Sequence, residues 1–423
     1  MDATNSISTN STNQHKLTFV ELVLFGLSNI IGSGLFVALQ SSLVYGGNMS
    51  TIALALVFIS TIITGYVYVE LFERYDSSIT EYLSVKDNLG TLGGHLVTYL
   101  LYFFGVLFFT TIVIYITKYL WTSIAPNWMV NRLWAQPIMS TIIISFICGL
   151  LYEGIQNSRY ISYFIAVVLL VVVVGVIVLS LPKYSYSAIF VEPPTPNVDK
   201  FVLSSVMTLF LFNGYDFVIK IKDETEKSTY NKQGIILCIV ISAILYGLLF
   251  ASCFSVLKYK GIAKLNGNLI TRMYSVLENK TISSIVFFIG AVIMFNSSLL
   301  TVLSSSRFLT AMGKQNEIPF KEFFETPENA VIFTGVLGSI LSIINKPNEM
   351  AVFANIVFIL ILIMLSISLI AIRWKERMDV DKQKKYNYLT WLNFYNIPAE
   401  VVVNVVVLCY VLFIIVRDRL WTK

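Results

Sequence analysis

Charged residues are scarce in this sequence: Asp, Glu, Lys and Arg make up only 13% of its 423 positions. A typical soluble domain has about 25%, and 56% of the residues here are hydrophobic. This composition excludes an ordinary soluble protein and predicts a polytopic membrane protein whose surroundings are the lipid bilayer. The net charge of +5 is spread along the loops, so we expect no nucleic-acid partner.

Histidine and cysteine are also rare. The two histidines, His15 and His95, are too few for a metal site built on imidazole. The four cysteines lie in apolar segments without a Cys-x-x-Cys pair, which predicts packed thiols. A membrane-embedded enzyme would need clustered ionisable or thiol side chains inside its spans. We therefore predict no enzymatic activity, no metal and no cofactor.

Long apolar segments fill most of the chain. A transmembrane helix needs about 20 apolar residues, and eleven segments come close to or exceed that length. The predicted spans 1 to 11 cover residues 17–44, 50–73, 93–120, 137–152, 160–181, 201–221, 234–257, 282–312, 330–345, 350–373 and 398–416. The connections are too short for a separate soluble domain, so these spans form one membrane domain.

Glycine interrupts two of the spans near their middle, and all ten prolines lie in loops or at span edges. The interruptions are Ile31-Gly32-Ser33-Gly34-Leu35-Phe36 in span 1 and Asn213-Gly214-Tyr215-Asp216 in span 6. Backbone groups freed inside a bilayer must line a cavity or bind a ligand. Close packing of helices through small residues is the alternative for either glycine pair. Breaks at corresponding positions of two halves favour a secondary transporter.

The breaks lie in spans 1 and 6, an offset of five spans. Because five is odd, the second block of five spans has inverted topology relative to the first. The predicted fold is an all-α polytopic membrane protein with a five-plus-five inverted repeat, discontinuous helices 1 and 6 and about 11 transmembrane helices. We assign residues 1–16 to a disordered cytoplasmic tail, 17–373 to the transporter core, 374–397 to a basic cytoplasmic loop and 398–423 to an extra C-terminal helix. The Lys and Arg bias places the N-terminus in the cytoplasm, with the protein in the plasma membrane or an internal membrane.

The two breaks supply complementary binding groups. Free N–H groups around Ser33–Leu35 suit a carboxylate, and free carbonyls near Asn29–Ile31 and Phe210–Phe212 suit an ammonium group. An amino acid carries both groups on one carbon, so an amino acid or related amine is the expected substrate. The candidate substrate-binding residues are Ile30, Ile31, Gly32, Ser33, Gly34, Phe210, Phe212, Asn213, Gly214, Tyr215 and Asp216.

Four short motifs in this order resemble those of the amino acid–polyamine–organocation (APC) superfamily. They are Ile31-Gly32-Ser33-Gly34-Leu35-Phe36; Val69-Glu70-Leu71-Phe72-Glu73-Arg74-Tyr75 with Glu81-Tyr82; Phe212-Asn213-Gly214-Tyr215-Asp216 with Asp223-Glu224; and Ser305-Ser306-Arg307-Phe308-Leu309 with Ile318-Pro319. The resemblance covers roughly residues 17–373 and implies an amino acid permease with the five-plus-five fold. The Gly214-Tyr215-Asp216 variant leans toward the branch of cationic amino acid transporters.

One departure from this family pattern concerns span 5. Many relatives carry a lysine there that serves as a proton or cation surrogate, whereas residues 164–181 contain no ionisable group. We therefore expect from the sequence that a proton gradient changes uptake little. The co-transported ion, if there is one, stays unidentified at this point.

Several further residues have a functional and a structural interpretation. Asp216 either attracts a cationic substrate group or caps the restarting half-helix and pairs with Lys220 at i+4. Phe210 matches a family position of an aromatic lid, with core packing as the alternative. We further predict Thr110, Thr111, Ser304 and Ser305 as ion or pocket residues and Glu70 with Arg74 as a gate or structural pair.

The leading functional hypothesis is a secondary active or facilitative transporter or exchanger that moves amino acids by alternating access. A transporter of polyamines or other organic amines is one alternative. A receptor or scaffold that retains the fold without transport is the other, because the lysine of span 5 is missing.

Overall fold

The structure is a computed structural model that describes residues 16–124, 134–153, 159–222, 225–265, 267–379, 381–382, 393–394 and 396–421. Apart from Lys16, the predicted tail of residues 1–16 lies outside the described residues, as does much of the predicted loop 374–397. The described helices are α1 (Phe19–Val37), α2 (Leu39–Gly46), α3 (Ser50–Tyr75), α4 (Thr80–Leu89), α5 (Thr91–Ile124), α6 (Ala135–Tyr152), α7 (Arg159–Ser180), α8 (Val198–Phe212), α9 (Phe217–Lys220), α10 (Ser228–Ala263), α11 (Leu269–Leu277), α12 (Lys280–Lys314), α13 (Lys321–Phe324), α14 (Pro327–Ser342), α15 (Pro347–Glu376) and α16 (Ala399–Trp421). The two short strands β1 (Asn393–Phe394) and β2 (Ile397–Pro398) pair antiparallel.

The helices form an all-α polytopic membrane protein. Ten segments of the described chain are long and apolar enough to cross a bilayer. The predicted span 9 corresponds to α14, whose 16 residues make it shorter than these ten. Many side chains on the outer surfaces of these helices are large, apolar and exposed, as expected where lipid tails surround the protein.

Helix packing follows the predicted internal repeat. Helix α1 packs against α10. Helix α8, which takes the place of α1 in the second repeat, packs against α3 in the same way. Likewise α1 packs against α7 and α8 against α15, while α5 packs against α6 and α12 against α14. The connecting helices agree, because α4 lies on α5 and α11 lies on α12. The same pairs therefore recur after a shift of five spans, as a five-plus-five repeat requires.

The predicted break in span 6 is confirmed. Helix α8 ends at Phe212, and α9 begins at Phe217 after a turn in which Gly214 has φ +104°. A side chain rarely adopts this backbone conformation, which explains why glycine occupies the position. The turn lies inside an otherwise apolar span and faces the protein interior, because Asn213 and Tyr215 are fully buried.

The predicted position of the break in span 1 is wrong. Helix α1 continues through Gly32, Ser33 and Gly34, and the discontinuity falls at Ala38 (φ −112°, ψ −18°), between α1 and α2. Close packing explains the glycines. A Cβ atom on Gly34 would lie 2.7 Å from Cα of Leu211 in α8, and one on Gly32 would lie 2.5 Å from Oγ of Ser297 in α12. The pair therefore brings α1 against two neighbouring helices.

Candidate functional site

The turn between α8 and α9 is held by buried amide side chains. The Asn29 Nδ2 of α1 donates to the Gly214 carbonyl at 3.1 Å. The Asn213 Nδ2 donates to Asn355 Oδ1 of α15 at 3.1 Å, and Asn355 Nδ2 donates to the Val206 carbonyl at 3.0 Å. The first of these bonds ties the turn to α1, and the other two tie α8 and the turn to α15. The Asn213 Oδ1 has no hydrogen-bond partner among the described residues.

A cavity of about 40 Å³ lies beside this turn. Helices α1, α5 and α12 and the turn with α9 line it, with Asn29, Leu101, Tyr102, Phe104, Gly105, Phe108, Gly214, Asp216, Phe217, Lys220, Thr301, Ser304, Ser305 and Phe308. A cavity needs about 10–15 Å³ on this measure to hold one water molecule, so this cavity has room for a few waters and is too small for an amino acid. The site is closed in this conformation and must widen to accept a substrate.

Two charged residues line this small cavity, and they neutralise each other. The Lys220 Nζ lies 2.5 Å from Asp216 Oδ2, and the two side chains are only 16% and 5% exposed. Asp216 stands at the N-cap of α9 but makes no capping bond with its side chain. The structure therefore contains the predicted i+4 pair of Asp216 with Lys220, and it does not contain the predicted cap of α9 by the Asp216 side chain.

Two larger cavities lie on either side of the small one. A cavity of about 380 Å³ opens near the face where α1 begins, and it shares Phe217, Lys220, Ser304 and Phe308 with the small cavity. A cavity of about 830 Å³ lies toward the opposite face, between the ends of α1, α5, α11 and α12. It shares no described lining residue with the small cavity. Among the described residues, the small cavity therefore adjoins the 380 Å³ cavity and not the 830 Å³ cavity.

The backbone groups predicted to bind the substrate carboxylate and ammonium have other partners in this conformation. Because α1 is continuous, the N–H groups of Ser33 and Gly34 lie within a helix that pairs them internally. The hydroxyl of Tyr246 on α10 lies 2.8 Å from the Leu211 carbonyl and 3.2 Å from the Ile30 carbonyl. Tyr246 joins α1 to α8 beside the glycine contact, and sequence reasoning missed it.

The predicted aromatic residues of span 6 are fully buried. The ring of Phe210 lies 4.8 Å from the ring of Phe108, which lines the small cavity. The ring of Phe212 packs edge-on against Tyr246 at 5.6 Å. The Tyr215 hydroxyl donates to Thr64 Oγ1 at 3.1 Å. Phe210 thus lies behind one cavity wall, whereas Phe212 and Tyr215 face neighbouring helices.

The predicted pocket hydroxyls separate into two groups. Ser304 and Ser305 line the small cavity. The hydroxyls of Thr110 and Thr111 each donate to a carbonyl of their own helix at 2.7 Å. These two threonines are not among the lining residues of the three cavities in the described part of the chain.

The predicted pair of Glu70 and Arg74 belongs to a larger buried network. Arg74 Nη2 lies 2.7 Å from Glu70 Oε1, and Arg74 also binds Glu376. The guanidinium of Arg373 binds both Glu70 oxygens, and both residues are fully buried. The network connects α3 to α15 close to the face where α1 begins. Sequence reasoning found its local i+4 pair and missed Arg373.

Comparison with known proteins agrees with this architecture. A family model described as "Amino acid permease" matches residues 17–417. The chain is also 22% identical over 391 residues to the branched-chain amino acid permease BcaP of Bacillus subtilis (strain 168). That comparison covers 86% of this chain and 82% of the relative.

Proposed function

This chain belongs to the amino acid permease family and moves amino acids across a membrane, and we propose that its substrates are neutral amino acids with aliphatic side chains. The observation that carries this proposal is the ion pair of Asp216 with Lys220 at the small cavity. A site whose two charges cancel offers no net attraction to a cationic side chain.

The shape of the site supports the same class of substrate. Next to the buried amides, the small cavity is lined by Leu101 and by the rings of Phe104, Phe108, Phe217 and Phe308. Apolar walls with a few polar groups favour ligands that have an aliphatic body and a polar end. The relative from Bacillus subtilis, a branched-chain amino acid permease, points in the same direction. Neutral substrates take the place of the lean toward cationic amino acid transporters that the Gly214-Tyr215-Asp216 motif implied.

Alternating access is the proposed mechanism. The two larger cavities lie on opposite sides of the small one, as expected for vestibules that open in turn. The polar groups that line the small cavity and face a substrate there include the amide of Asn29 and the hydroxyls of Ser304 and Ser305. The Phe108 and Phe210 rings are in contact in this conformation, and they must separate when the site opens for the substrate. Helix α8, which carries Phe210, then moves relative to α5, which carries Phe108, and this movement widens the cavity.

We further propose a cytoplasmic N-terminus, which makes the 380 Å³ cavity the inner vestibule. Lys375 in the last turn of α15 and Arg377 just after it then face the cytoplasm, in accord with the positive-inside rule. The transporter core of residues 17–373, the basic loop of 374–397 and the extra helix of 398–423 are proposed as the functional division of the chain. A transporter fits the buried amides and alternating cavities better than an enzyme or an inactive receptor does.

Replacing Lys220 by glutamine is expected to convert the substrate preference. Without Lys220, the Asp216 carboxylate at the cavity is free to bind the ammonium group of lysine or arginine. A hydrogen bond to a charged group contributes about 1.5–3 kcal/mol, so affinity for cationic amino acids should rise roughly ten- to a hundredfold. The measurement is ligand-induced thermal stabilisation of purified protein with leucine, valine, lysine, arginine and putrescine.

The parent protein should be stabilised by leucine and valine, because a ligand that binds only the folded state raises its stability. Lys222→Gln is the matched control, since Lys222 lies two residues further on and pairs with Asp76 at 2.8 Å. It should keep the preference of the parent. Stabilisation of the parent by lysine or putrescine, and not by leucine, would contradict the proposed substrate class.

A further inference from the structure

Glu81 in the first turn of α4 is a buried carboxylate without a partner. Its side chain is fully buried, and neither Oε1 nor Oε2 has a hydrogen-bond partner among the described residues. An ionised carboxylate in such a position costs several kcal/mol unless it is paired and hydrogen-bonded. A protonated carboxyl avoids most of this cost, so the geometry favours the neutral acid.

The surroundings of Glu81 form a small ionisable cluster. The charges of Lys220 and Asp216 both act on Glu81. On α3, the neighbouring Tyr68 hydroxyl also has no described hydrogen-bond partner, and the Tyr68 ring packs edge-on against Tyr215 at 5.7 Å. Since Asp216 and Lys220 cancel, ionising Glu81 gives the cluster a net charge of −1. Protonation returns it to neutrality.

The charged groups around α4 have described partners other than Glu81. On α5, His95 lies 3.6 Å from Glu317, which also pairs with Lys86 of α4. On α15, Arg373 binds Glu70 and Lys375 donates to Asn88 of α4, and on α3, Arg74 binds Glu70 and Glu73 pairs with Lys232. Burial raises the pKa of the Glu81 carboxyl above its usual value, the positive charge of Lys220 and the backbone N–H of Glu81 itself lower it, and Asp216 raises it. Changes in the Asp216–Lys220 pair, such as those caused by an arriving substrate, therefore act on the proton affinity of Glu81.

The 380 Å³ cavity lies next to this cluster, although Glu81 itself does not line it. Ser78 and Ile79, shortly before Glu81, line the 380 Å³ cavity, and Lys220 lines both this cavity and the small one. When that vestibule widens, water reaches the last residues before α4. A carboxyl that is neutral while enclosed and ionised while hydrated has the property required of a proton carrier.

We propose that Glu81 is the proton-binding group of this permease and that one proton crosses with each amino acid. While the site faces the outside, a hydronium ion in the water that enters with the amino acid gives its proton to one carboxylate oxygen, which leaves a water molecule and an O–H bond on Glu81, and the site then closes. The proton passes to water in the 380 Å³ cavity when that side opens, which leaves the carboxylate beside Lys220. The inference rests on the proposed transport function. It replaces the expectation, drawn from span 5 alone, that a proton gradient changes uptake little.

The experiment uses proteoliposomes with labelled leucine and an internal pH-sensitive dye, with the membrane potential held at zero by valinomycin and equal potassium. In the parent, leucine addition should acidify the lumen, and an external pH one unit lower should raise leucine accumulation about tenfold. One pH unit corresponds to a tenfold change in an equilibrium coupled to one proton. Glu81→Gln should keep leucine exchange at equal pH and lose both the acidification and the accumulation.

Glu349→Gln is the control, because Glu349 is an exposed carboxylate paired with Lys346 at 3.2 Å. It should behave as the parent does. Acidification that persists in Glu81→Gln would overturn the proposal. So would exchange without acidification in the parent, which decides the matter even when the Gln variant fails to fold. Absence of exchange for every amino acid in the parent is a separate result, because it refutes the proposed transport function itself.

Discussion

Uptake of leucine should fall by at least about tenfold when Gly34 is replaced by alanine. The new Cβ atom would lie 2.7 Å from Leu211 Cα, 2.8 Å from the Leu211 carbonyl oxygen and 3.0 Å from the Tyr246 hydroxyl. Backbone atoms cannot swing aside as the end of a side chain can, so α1 and α8 must move apart. Overpacking of this kind costs about 1–3 kcal/mol, and it acts beside the break that lines the small cavity.

Gly149→Ala is the matched control for this change. Gly149 also lies inside a membrane helix, α6, but a Cβ atom there has no described heavy atom within 4 Å. The control should transport leucine as the parent does, and both variants should reach the membrane in similar amounts. Labelled leucine uptake, normalised to the protein reconstituted, is the measurement. Full activity of Gly34→Ala would remove the contact between α1 and α8 from the transport mechanism.

Glu70→Gln is expected to cause the largest loss of stability. The variant leaves Arg373 fully buried without its carboxylate and takes a partner from Arg74. Breaking a buried ion pair by removing one partner costs about 3–5 kcal/mol, because an uncompensated charge remains. The thermal unfolding midpoint in detergent should fall markedly. The measurement is the midpoint of tryptophan fluorescence during heating.

Glu349→Gln serves as the comparison for this loss, since its pair with Lys346 is exposed. An exposed ion pair contributes about 0–1 kcal/mol, so the midpoint should change little. Equal midpoints for the two variants would show that the network of Glu70, Arg74, Arg373 and Glu376 does not hold α3 to α15.

The break in span 6 was predictable because its local sequence is unusual. Asn213, Gly214 and Asp216 are polar or flexible residues in the middle of an apolar span, and a bilayer-embedded helix has no other use for such a cluster. The break in span 1 was misplaced because Gly32 and Gly34 fit two explanations equally well. Only the positions of Leu211 and Ser297, which come from other helices, decide for close packing.

The sequence could not reveal residues whose interaction partners lie far away along the chain. Arg373 meets Glu70 across 303 positions, whereas the pair of Glu70 and Arg74 follows from helical spacing. Tyr246 is one of 23 tyrosines, and nothing in its neighbourhood sets it apart. Glu81 lies in a polar segment between two spans, where a carboxylate is expected to be hydrated. Its burial under α3, α5 and α15 appears only in the folded chain.

Counterflow in proteoliposomes tests the central claim, amino acid transport by alternating access, most directly. Vesicles are loaded with unlabelled leucine at equal pH on both sides, and entry of labelled leucine is followed. We predict saturable entry that internal leucine accelerates, because a site exposed alternately to the two sides exchanges its occupant. Gly34→Ala should reduce this entry at least about tenfold. Leucine binding to the purified protein without accelerated entry would contradict the account and identify a receptor on a transporter fold.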